Sequence, residues 1–181
     1  MRPGECRFKP GLGRIVPVSV AIAARTGPVL RRFFETAELI QIRRSALVRY
    51  SPGQMFDLVN DVEAYPRRFT WCAAADILDQ DETAMTARLE VRIAGMTQRF
   101  TTRNTLQPPG RIDLALVDGP FRALSGSWQF TPLGEEGCKI ALAMDFEYSG
   151  ALLGPALRMG FQGLADRMVD EFVRVAYRVY G

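Results

Sequence analysis

The closing stretch ALLGPALRMGFQGLADRMVDEFVRVAYRVY, residues 151–180, decides the fold. Apolar residues recur along it at steps of three and four, and charged residues lie largely between them. This spacing predicts one long amphipathic helix whose apolar face must be covered by another layer of the protein. The apolar face consists of Leu153, Leu157, Phe161, Leu164, Met168, Phe172, Val175 and Val179.

The first half of this predicted helix contains residues that weaken a helix. Gly154-Pro155 interrupts it early, and Gly160 and Gly163 follow. A glycine inside a helix costs about 1 kcal/mol relative to alanine, so close packing or flexibility is expected at both positions. We therefore predict that the first half is a gate to a cavity, provided that Gly163 faces it, and that the half from Met168 onward is an anchor.

The segments before the helix alternate between apolar and polar residues, as in half-buried strands. Turn signals separate them at IAGM, QPPG, VDGP and LGEEG. The pattern predicts an antiparallel meander with one solvated face. The predicted strands are ARLEVRI (87–93), RFTTRNTL (99–106), RIDLALV (111–117), SGSWQF (125–130) and KIALAMDFEY (139–148).

A strand and two helices are predicted upstream of this meander. IRRSALVRY (42–50) alternates as a strand, and SPGQMFDLVNDV (51–62) has Ser51 as a helix N-cap with Pro52 in the first turn. Pro66 favours a break and a short helix at 66–70. The order of elements predicts an α+β fold, in which a curved antiparallel sheet wraps round the long C-terminal helix and leaves a hydrophobic cavity between them.

Residues 1–40 differ in composition from the rest of the chain. They carry seven basic residues against three acidic ones, together with four prolines, and have no sustained period. This predicts a basic, flexible N-terminal extension before a ligand-binding domain at 41–181. The alternatives are an organelle transit peptide, an extension without a specific role, or a start codon assigned too far upstream.

The composition excludes several kinds of chemistry. Histidine is absent, which removes Ser-His and Cys-His nucleophile pairs and the commonest metal ligand. The three cysteines, Cys6, Cys72 and Cys138, are widely spaced, which favours reduced thiols in the cytoplasm over a zinc site or disulfides. We therefore expect a protein without catalytic residues, metal or resident cofactor.

The aromatic stretch DVEAYPRRFTWC, residues 61–72, leaves two alternatives open. Cys72 is either a reactive thiol activated by nearby arginines or a packed structural thiol, and the missing histidine favours the second. Tyr65, Phe69 and Trp71 either line the mouth of a cavity or seal the short helix on the sheet. On the outer sheet face, Arg99, Arg103 and Arg111 form either a basic strip for RNA or anionic lipid, or a solvated face neutralised by acidic neighbours.

Four segments together resemble the coenzyme Q-binding, START-like family, which includes the bacterial RatA-type ribosome-association toxins. They are DLVNDVEAYPRRFTWC, RFTTRNTL, LVDGPFRALSGSWQF and MVDEFVRVAYRVYG, and the resemblance covers about 42–181. It implies a helix-grip fold and non-enzymatic binding of a hydrophobic ligand, ubiquinone or a related polyprenyl lipid, in support of respiration. It also implies two alternatives: binding to the large ribosomal subunit, which blocks subunit association, or a cyclase-like enzyme.

The cyclase alternative requires an acid–base pair inside the cavity, for which Asn104 and Tyr148 are the inward polar candidates. Family members often carry a phenylalanine, an apolar residue and a proline before the Trp-Cys pair, where this chain has Arg68, Phe69 and Thr70. This difference predicts a changed ligand size or membrane contact. We expect a cytoplasmic protein with transient contact to the inner membrane surface. The predicted ligand-binding residues are Phe56, Tyr65, Phe69, Trp71, Phe100, Phe121, Leu124, Trp128, Phe146, Leu157, Phe161, Leu164 and Met168.

Overall fold

The computed structural model describes residues 39–135, 137–148 and 154–181. Most of the predicted N-terminal extension lies outside these residues, so that assignment stays a prediction. The helices and strands are β1 (Ile40–Val48), α1 (Pro52–Asn60), a 3-10 turn (Val62–Ala64), α2 (Tyr65–Arg68), β2 (Cys72–Gln80), β3 (Ala84–Ile93), β4 (Met96–Gln107), β5 (Arg111–Asp118), β6 (Phe121–Leu133), β7 (Gly137–Tyr148) and α3 (Pro155–Tyr180).

The seven strands form one curved antiparallel sheet in the order β1-β7-β6-β5-β4-β3-β2. Strands β2 to β7 are a meander in which each strand pairs with the next, and β1 adds to the far edge beside β7. The predicted α+β architecture, with the sheet wrapped round the C-terminal helix, is confirmed. The predicted inward faces of the strands are also observed.

Helix α1 begins where the sequence predicts. The Ser51 side chain accepts a hydrogen bond from the backbone N–H of Gln54 at 3.2 Å, and the Gln54 side chain accepts one from the Ser51 N–H at 2.9 Å. This reciprocal capping box satisfies two amides that the helix itself leaves unpaired. A 3-10 turn and the four-residue helix α2 then lead the chain to the sheet edge, so the short helix lies slightly earlier than the predicted 66–70.

Strand β2 is an element that the periodicity does not predict. Its sequence, CAAADILDQ, has little alternation, and two register shifts against β3 break it, near Cys72 and near Ile77. It is an edge strand, so only one neighbour constrains it, and its exposed half carries acidic side chains. Bulges of this kind bend a sheet edge, which helps the sheet to curve round the helix.

Helix α3 covers the inner face of the sheet with most of its predicted apolar stripe. Phe172 and Val175 are fully buried, whereas Val179 is 46% exposed. The prediction that Val179 anchors the helix is therefore wrong, because this last turn is not covered as the preceding turns are. Leu153 lies outside the described residues.

The two helix glycines occupy different environments. A Cβ at Gly160 would lie 2.1 Å from the Cγ2 atom of Ile93 on β3, whereas a Cβ at Gly163 would meet nothing within 4 Å. Gly160 therefore lets the helix approach the sheet closely. Gly163 is not among the residues that line the cavity described below, so the condition on which the predicted gate depended is not met.

Replacing each glycine with alanine should have opposite effects. Gly160→Ala is expected to lower the free energy of unfolding by about 1–3 kcal/mol, because the buried Ile93 has to move. Gly163→Ala is the matched control and should raise the free energy of unfolding by up to about 1 kcal/mol through helix propensity alone. Urea denaturation of both variants measures the difference. Equal effects of the two substitutions would contradict the close packing at Gly160.

Candidate functional site

A cavity of about 100 Å³ lies between the inner face of the sheet and helices α1 and α3. It is small beside the roughly 300–1,000 Å³ of typical small-molecule sites, so a larger ligand has to displace part of the lining. The lining residues come from α1, from the segment between α1 and β2, from strands β3 to β7 and from α3. The lining residues are Val59, Asn60, Val62, Tyr65, Trp71, Ala87, Leu89, Val91, Phe100, Thr102, Asn104, Ile112, Leu114, Phe121, Leu124, Trp128, Met144, Phe146, Phe161, Leu164, Ala165, Met168 and Phe172.

Most of the predicted ligand-binding residues line this cavity, and three do not. Phe56 is buried and packs edge-on against Phe130, at 5.9 Å between ring centroids, away from the cavity. Phe69 lies behind the lining, and Leu157 belongs to the core under the first turns of α3. The binding role of the lining residues stays a prediction. The predicted residues that line the cavity are Tyr65, Trp71, Phe100, Phe121, Leu124, Trp128, Phe146, Phe161, Leu164 and Met168.

Several lining residues were not among the predicted ligand-binding residues. The strand contributions, such as Leu89, Ile112, Leu114 and Met144, follow from the same alternation that identifies the inner sheet face, so the signal for them was present. Ala165 carried no such signal, because a small residue beside the stripe of an amphipathic helix does not show whether it faces a cavity.

The first of two aromatic clusters closes one side of the cavity, and we call it the Phe172 cluster. The Phe172 ring lies 4.7 Å from that of Phe69, 5.1 Å from Trp128 and 5.5 Å from Tyr65, measured between centroids. Phe69 in turn stacks on Trp71 at 5.0 Å. Edge-on and offset contacts of this kind are favourable, so the cluster ties α3, α2 and β6 together.

The second cluster, the Phe121 cluster, lies under the first half of α3. Phe121 contacts Phe161 at 4.9 Å, and it contacts both Phe100 and Phe146 at 5.8 Å. Together with the Phe172 cluster it surrounds the cavity with the faces and edges of aromatic rings. Such a lining suits a flat or chain-like apolar molecule.

The backbone at Trp71 is held by the strand beside it. The Trp71 carbonyl accepts a hydrogen bond from the backbone N–H of Arg92 at 2.7 Å, and the Arg92 guanidinium donates to the carbonyls of Thr70 and Cys72. These contacts fix the aromatic stretch to the end of β3. Tyr65 and Trp71 thus line the cavity, while Phe69 seals α2 behind them, and both alternatives for this stretch hold in part.

Few polar atoms reach the cavity. The Tyr65 hydroxyl donates to the Val59 carbonyl, and burial raises the pKa of this hydroxyl far above its usual value. The Oδ1 atom of Asn104 and the Nε1 atom of Trp71 are buried and have no hydrogen-bond partner among the described residues. A buried polar atom without a partner costs about 1–3 kcal/mol, so each would gain from a ligand with a complementary group.

Tyr148 is buried but does not line the cavity. Its hydroxyl donates to the Arg158 carbonyl at 2.9 Å, and the Arg158 guanidinium carbon lies 5.5 Å from the centre of its ring. Burial raises the pKa of Tyr148 to about 12. Tyr148 therefore fastens the first turn of α3 to the end of β7 and does not form an acid–base pair with Asn104.

Cys72 has the environment of a structural thiol. It is buried, and its Sγ donates to the Ala74 carbonyl at 3.4 Å. Burial raises its pKa to about 11, although the Arg92 charge acts in the opposite direction. Because a thiolate is the nucleophilic form of cysteine, the pKa argues against a reactive group.

Cys72 is therefore expected to resist alkylation in the native protein. At neutral pH only about one thiol in ten thousand would be ionised at that pKa. Iodoacetamide treatment followed by peptide mass mapping should show little modification at Cys72 until denaturant is added. Rapid modification of Cys72 under native conditions would restore the reactive-thiol alternative.

The outer face of the sheet carries paired charges. Arg99 contacts Glu90, Arg111 contacts Asp113 at 2.6 Å, and Arg103 lies 4.0 Å from Asp79. The three arginines of the predicted basic strip therefore have acidic neighbours, which favours the solvated-face alternative. Exposed pairs of this kind contribute little to stability.

Arg68 does not bring its charge to the cavity, although its place in the sequence suggested a change at the cavity rim. Its guanidinium binds the Asp61 carboxylate at 2.8 Å. The position is absent from the cavity lining. The lining itself therefore remains uncharged despite the arginine at this position.

A family model described as polyketide cyclase / dehydrase and lipid transport matches residues 48–173, which include α1, most of α3 and the strands between them. The chain belongs to this family. The match spans the cavity and both aromatic clusters. None of the helices in the described part of the chain is long and apolar enough to cross a membrane.

Two of the proteins that are similar to this chain in sequence have different names. Ribosome association toxin RatA of Pseudomonas aeruginosa is 46% identical over 140 residues, which are 77% of this chain and 97% of that protein. Coenzyme Q-binding protein COQ10 homolog B, mitochondrial, of Xenopus laevis is 27% identical over 147 residues, 78% of this chain and 60% of that protein. The resemblance seen in the sequence is confirmed.

Solved structures show the same fold at low sequence identity. The ZhuI aromatase/cyclase from Streptomyces sp. R1128 superposes with a TM-score of 0.69 at 22% identity, covering 80% of this chain and 97% of that one. A START superfamily protein from Mycobacterium smegmatis gives a TM-score of 0.62 at 22% identity, covering 77% and 97%. The fold is therefore START-like, with the helix-grip arrangement that the sequence predicts.

Proposed function

We propose that this domain binds a neutral hydrophobic ligand of the ubiquinone or polyprenyl-lipid class in its cavity, without catalysing a reaction. The observation that carries the proposal is the cavity lining, which is aromatic and aliphatic and, among the described lining residues, contains no charged side chain. Burial of an isoprenoid tail there removes apolar surface from water, worth roughly 25 cal/mol per Å² before ordering costs.

The lining has to give way for such a ligand, since a cavity of about 100 Å³ does not hold a quinone ring with its tail. Met144 and Met168 are suited to this role, because unbranched thioether side chains repack easily. Phe161 and Leu164 lie on the first half of α3 and would move with that half of the helix. Ligand binding is therefore proposed to separate this half of α3 from the sheet.

Both tryptophans of the chain line the cavity, so binding has a built-in reporter. Titration of the purified protein with a short-chain ubiquinone should quench the emission of Trp71 and Trp128 with saturation. Organic extraction of the protein as purified, followed by mass spectrometry, identifies a ligand that it already carries. Absence of saturable quenching by any neutral isoprenoid would overturn the proposal.

A second candidate function is action on the ribosome. It is supported by the 46% identity to a ribosome association toxin over 97% of that protein's length. In this role the chain would bind the large ribosomal subunit through its surface and lower the fraction of joined ribosomes. Sucrose-gradient profiles of ribosomes with and without added protein test it. An unchanged subunit-to-ribosome ratio at an excess of protein would count against it.

A cyclase-like enzyme is less well supported by the site. The Tyr65 hydroxyl is committed to the Val59 carbonyl, and its raised pKa keeps it protonated. Asn104 is an amide and cannot exchange a proton with a substrate near neutral pH. The described lining residues therefore offer binding groups in place of an acid–base pair.

A further inference from the structure

We infer that the Asn104 amide is the polar contact that holds the head group of a neutral amphiphile, and that the cavity discriminates against anionic lipids. The inference rests on the proposed ligand-binding function and specifies which end of a ligand the cavity recognises. Its starting point is the Asn104 amide, which lies in a mostly apolar lining that also contains Asn60 and Thr102, and whose oxygen is buried without a partner among the described residues.

Asn104 lies in the second half of β4 and is only 6% exposed. It is opposite Met85 on β3 and Leu114 on β5, both of which are apolar. Its Oδ1 atom is buried without a hydrogen-bond partner among the described residues, although the residue lines the cavity. The fold therefore offers this oxygen no hydrogen bond among the described residues, and its side chain borders the cavity, so a small movement of the amide would present the oxygen to a bound molecule.

The register of the sheet sets the neighbours of this amide. Asn104 is in one cross-strand row with Leu114, Gly126 and Met144. Gly126 has no side chain, and a Cβ there would lie 2.9 Å from the Ala143 carbonyl oxygen and 3.4 Å from Leu114 Cδ1. The row therefore places the amide beside an aliphatic leucine, with a closely packed glycine and a flexible methionine further along the same face.

The chemistry of the amide sets the class of head group. A carboxamide has an acceptor and a donor on the same stem, so it can accept from a hydroxyl or donate to a carbonyl. Trp71 adds a buried Nε1–H donor, which also has no partner among the described residues. A prenol hydroxyl can donate to the Asn104 Oδ1 atom, whereas a quinone carbonyl only accepts and would pair with the Asn104 Nδ2–H or the Trp71 Nε1–H.

A carboxylate or phosphate would meet a different environment. None of the described lining residues is an arginine or lysine, so an anionic head group inside the cavity would lose its hydration without gaining a counter-charge. Burial of an unpaired charge is strongly unfavourable. Fatty acids and phospholipids are therefore expected to bind poorly compared with neutral molecules of the same length.

Three probes with one hydrocarbon skeleton test the inference: farnesol, farnesene and farnesoic acid at neutral pH. Their affinities for the full chain are measured by tryptophan emission and by calorimetry. The wild-type protein should bind farnesol at least tenfold more tightly than the carboxylate. Asn104→Leu should reduce the ratio of farnesol affinity to farnesene affinity by about fivefold to tenfold, the loss of one hydrogen bond. In a second series, Asn104→Leu should lower the affinity for a short-chain ubiquinone by the same factor if the quinone ring is the head group that Asn104 holds.

Thr105→Val is the matched control, because Thr105 is the next residue of β4 and its side chain is exposed on the other face. It should leave every ratio unchanged. Asn104→Leu should keep or raise the unfolding midpoint, since it removes an unpartnered buried amide. Asn104→Ala, which adds no bulk, repeats the comparison in case leucine does not fit, and unfolding of both variants would overturn the inference.

The outcomes separate this inference from the function on which it rests. If wild-type protein binds none of the neutral probes, the proposed ligand-binding function fails. If the neutral probes bind but Asn104→Leu preserves the ratios in both series, only the role of Asn104 fails. Equal affinity for farnesol and farnesoate would overturn the discrimination against anionic lipids.

Discussion

Phe172→Ala should lower the free energy of unfolding by about 3–5 kcal/mol, the cost of truncating a fully buried aromatic side chain. Phe172 is 1% exposed and is the centre of the Phe172 cluster. Its ring contacts Phe69, Trp128 and Tyr65, which come from the aromatic stretch before β2 and from β6. The ring also borders the cavity, so its removal enlarges an existing void.

The matched control for this prediction is Met159→Ala on the same helix. Met159 is 73% exposed, so its truncation should change the free energy of unfolding by no more than about 0.5 kcal/mol. Guanidinium denaturation of both variants, followed by far-UV circular dichroism, measures the two values. A cost below about 1 kcal/mol for Phe172→Ala would mean that the second half of α3 does not anchor the helix.

The sequence predicts the layers of this fold better than it predicts the ends of the elements. Helical spacing correctly identifies the buried face of α3, because a period near 3.6 has no other simple explanation. The same spacing extends to Val179, which is exposed, since periodicity does not show where the sheet beneath a helix ends. Strand β2 was missed for a related reason: an edge strand with bulges has little alternation.

The sequence predicts which side chains lie on the inner face of the sheet, but not which of them line the cavity. The alternation of β4 places Phe100, Thr102 and Asn104 on the inner face, and all three line the cavity. Whether a particular inward residue meets empty space or another side chain depends on packing between elements that are distant in sequence. Phe56 and Phe69 are aromatic like Phe100, yet both are packed among other core side chains and do not line the cavity.

The glycines of α3 illustrate the same limit. Their cost in a helix indicates that something offsets it, but only the structure assigns close packing to Gly160 and open surroundings to Gly163. A substitution that is meant to fill the cavity therefore needs a position on α3 other than Gly163. Ala165, two residues further on, is buried and lines the cavity.

Ala165→Leu should lower the affinity for neutral isoprenoids at least tenfold and leave the protein folded. The added carbons enter the space of about 100 Å³ that a ligand would use, so the substitution competes with binding directly. Filling an existing cavity with apolar atoms should raise the free energy of unfolding or leave it unchanged. Gly163→Leu is the control on the same helix, because Gly163 does not line the cavity and a Cβ there would meet nothing within 4 Å, so ligand affinity should stay the same.

Ala165→Leu also separates the two candidate functions, because it alters the interior of the domain and leaves its surface intact. Ribosome profiles that respond to the variant as they do to the wild type would place any action on the ribosome on the surface, independent of the cavity. Loss of both activities together would mean that the ligand controls the surface through α3.

If leucine overpacks the site and lowers the free energy of unfolding by about 1–3 kcal/mol, Ala165→Val gives the same comparison with less added volume. Unchanged ligand affinity in both folded variants would show that the ligand binds outside this cavity.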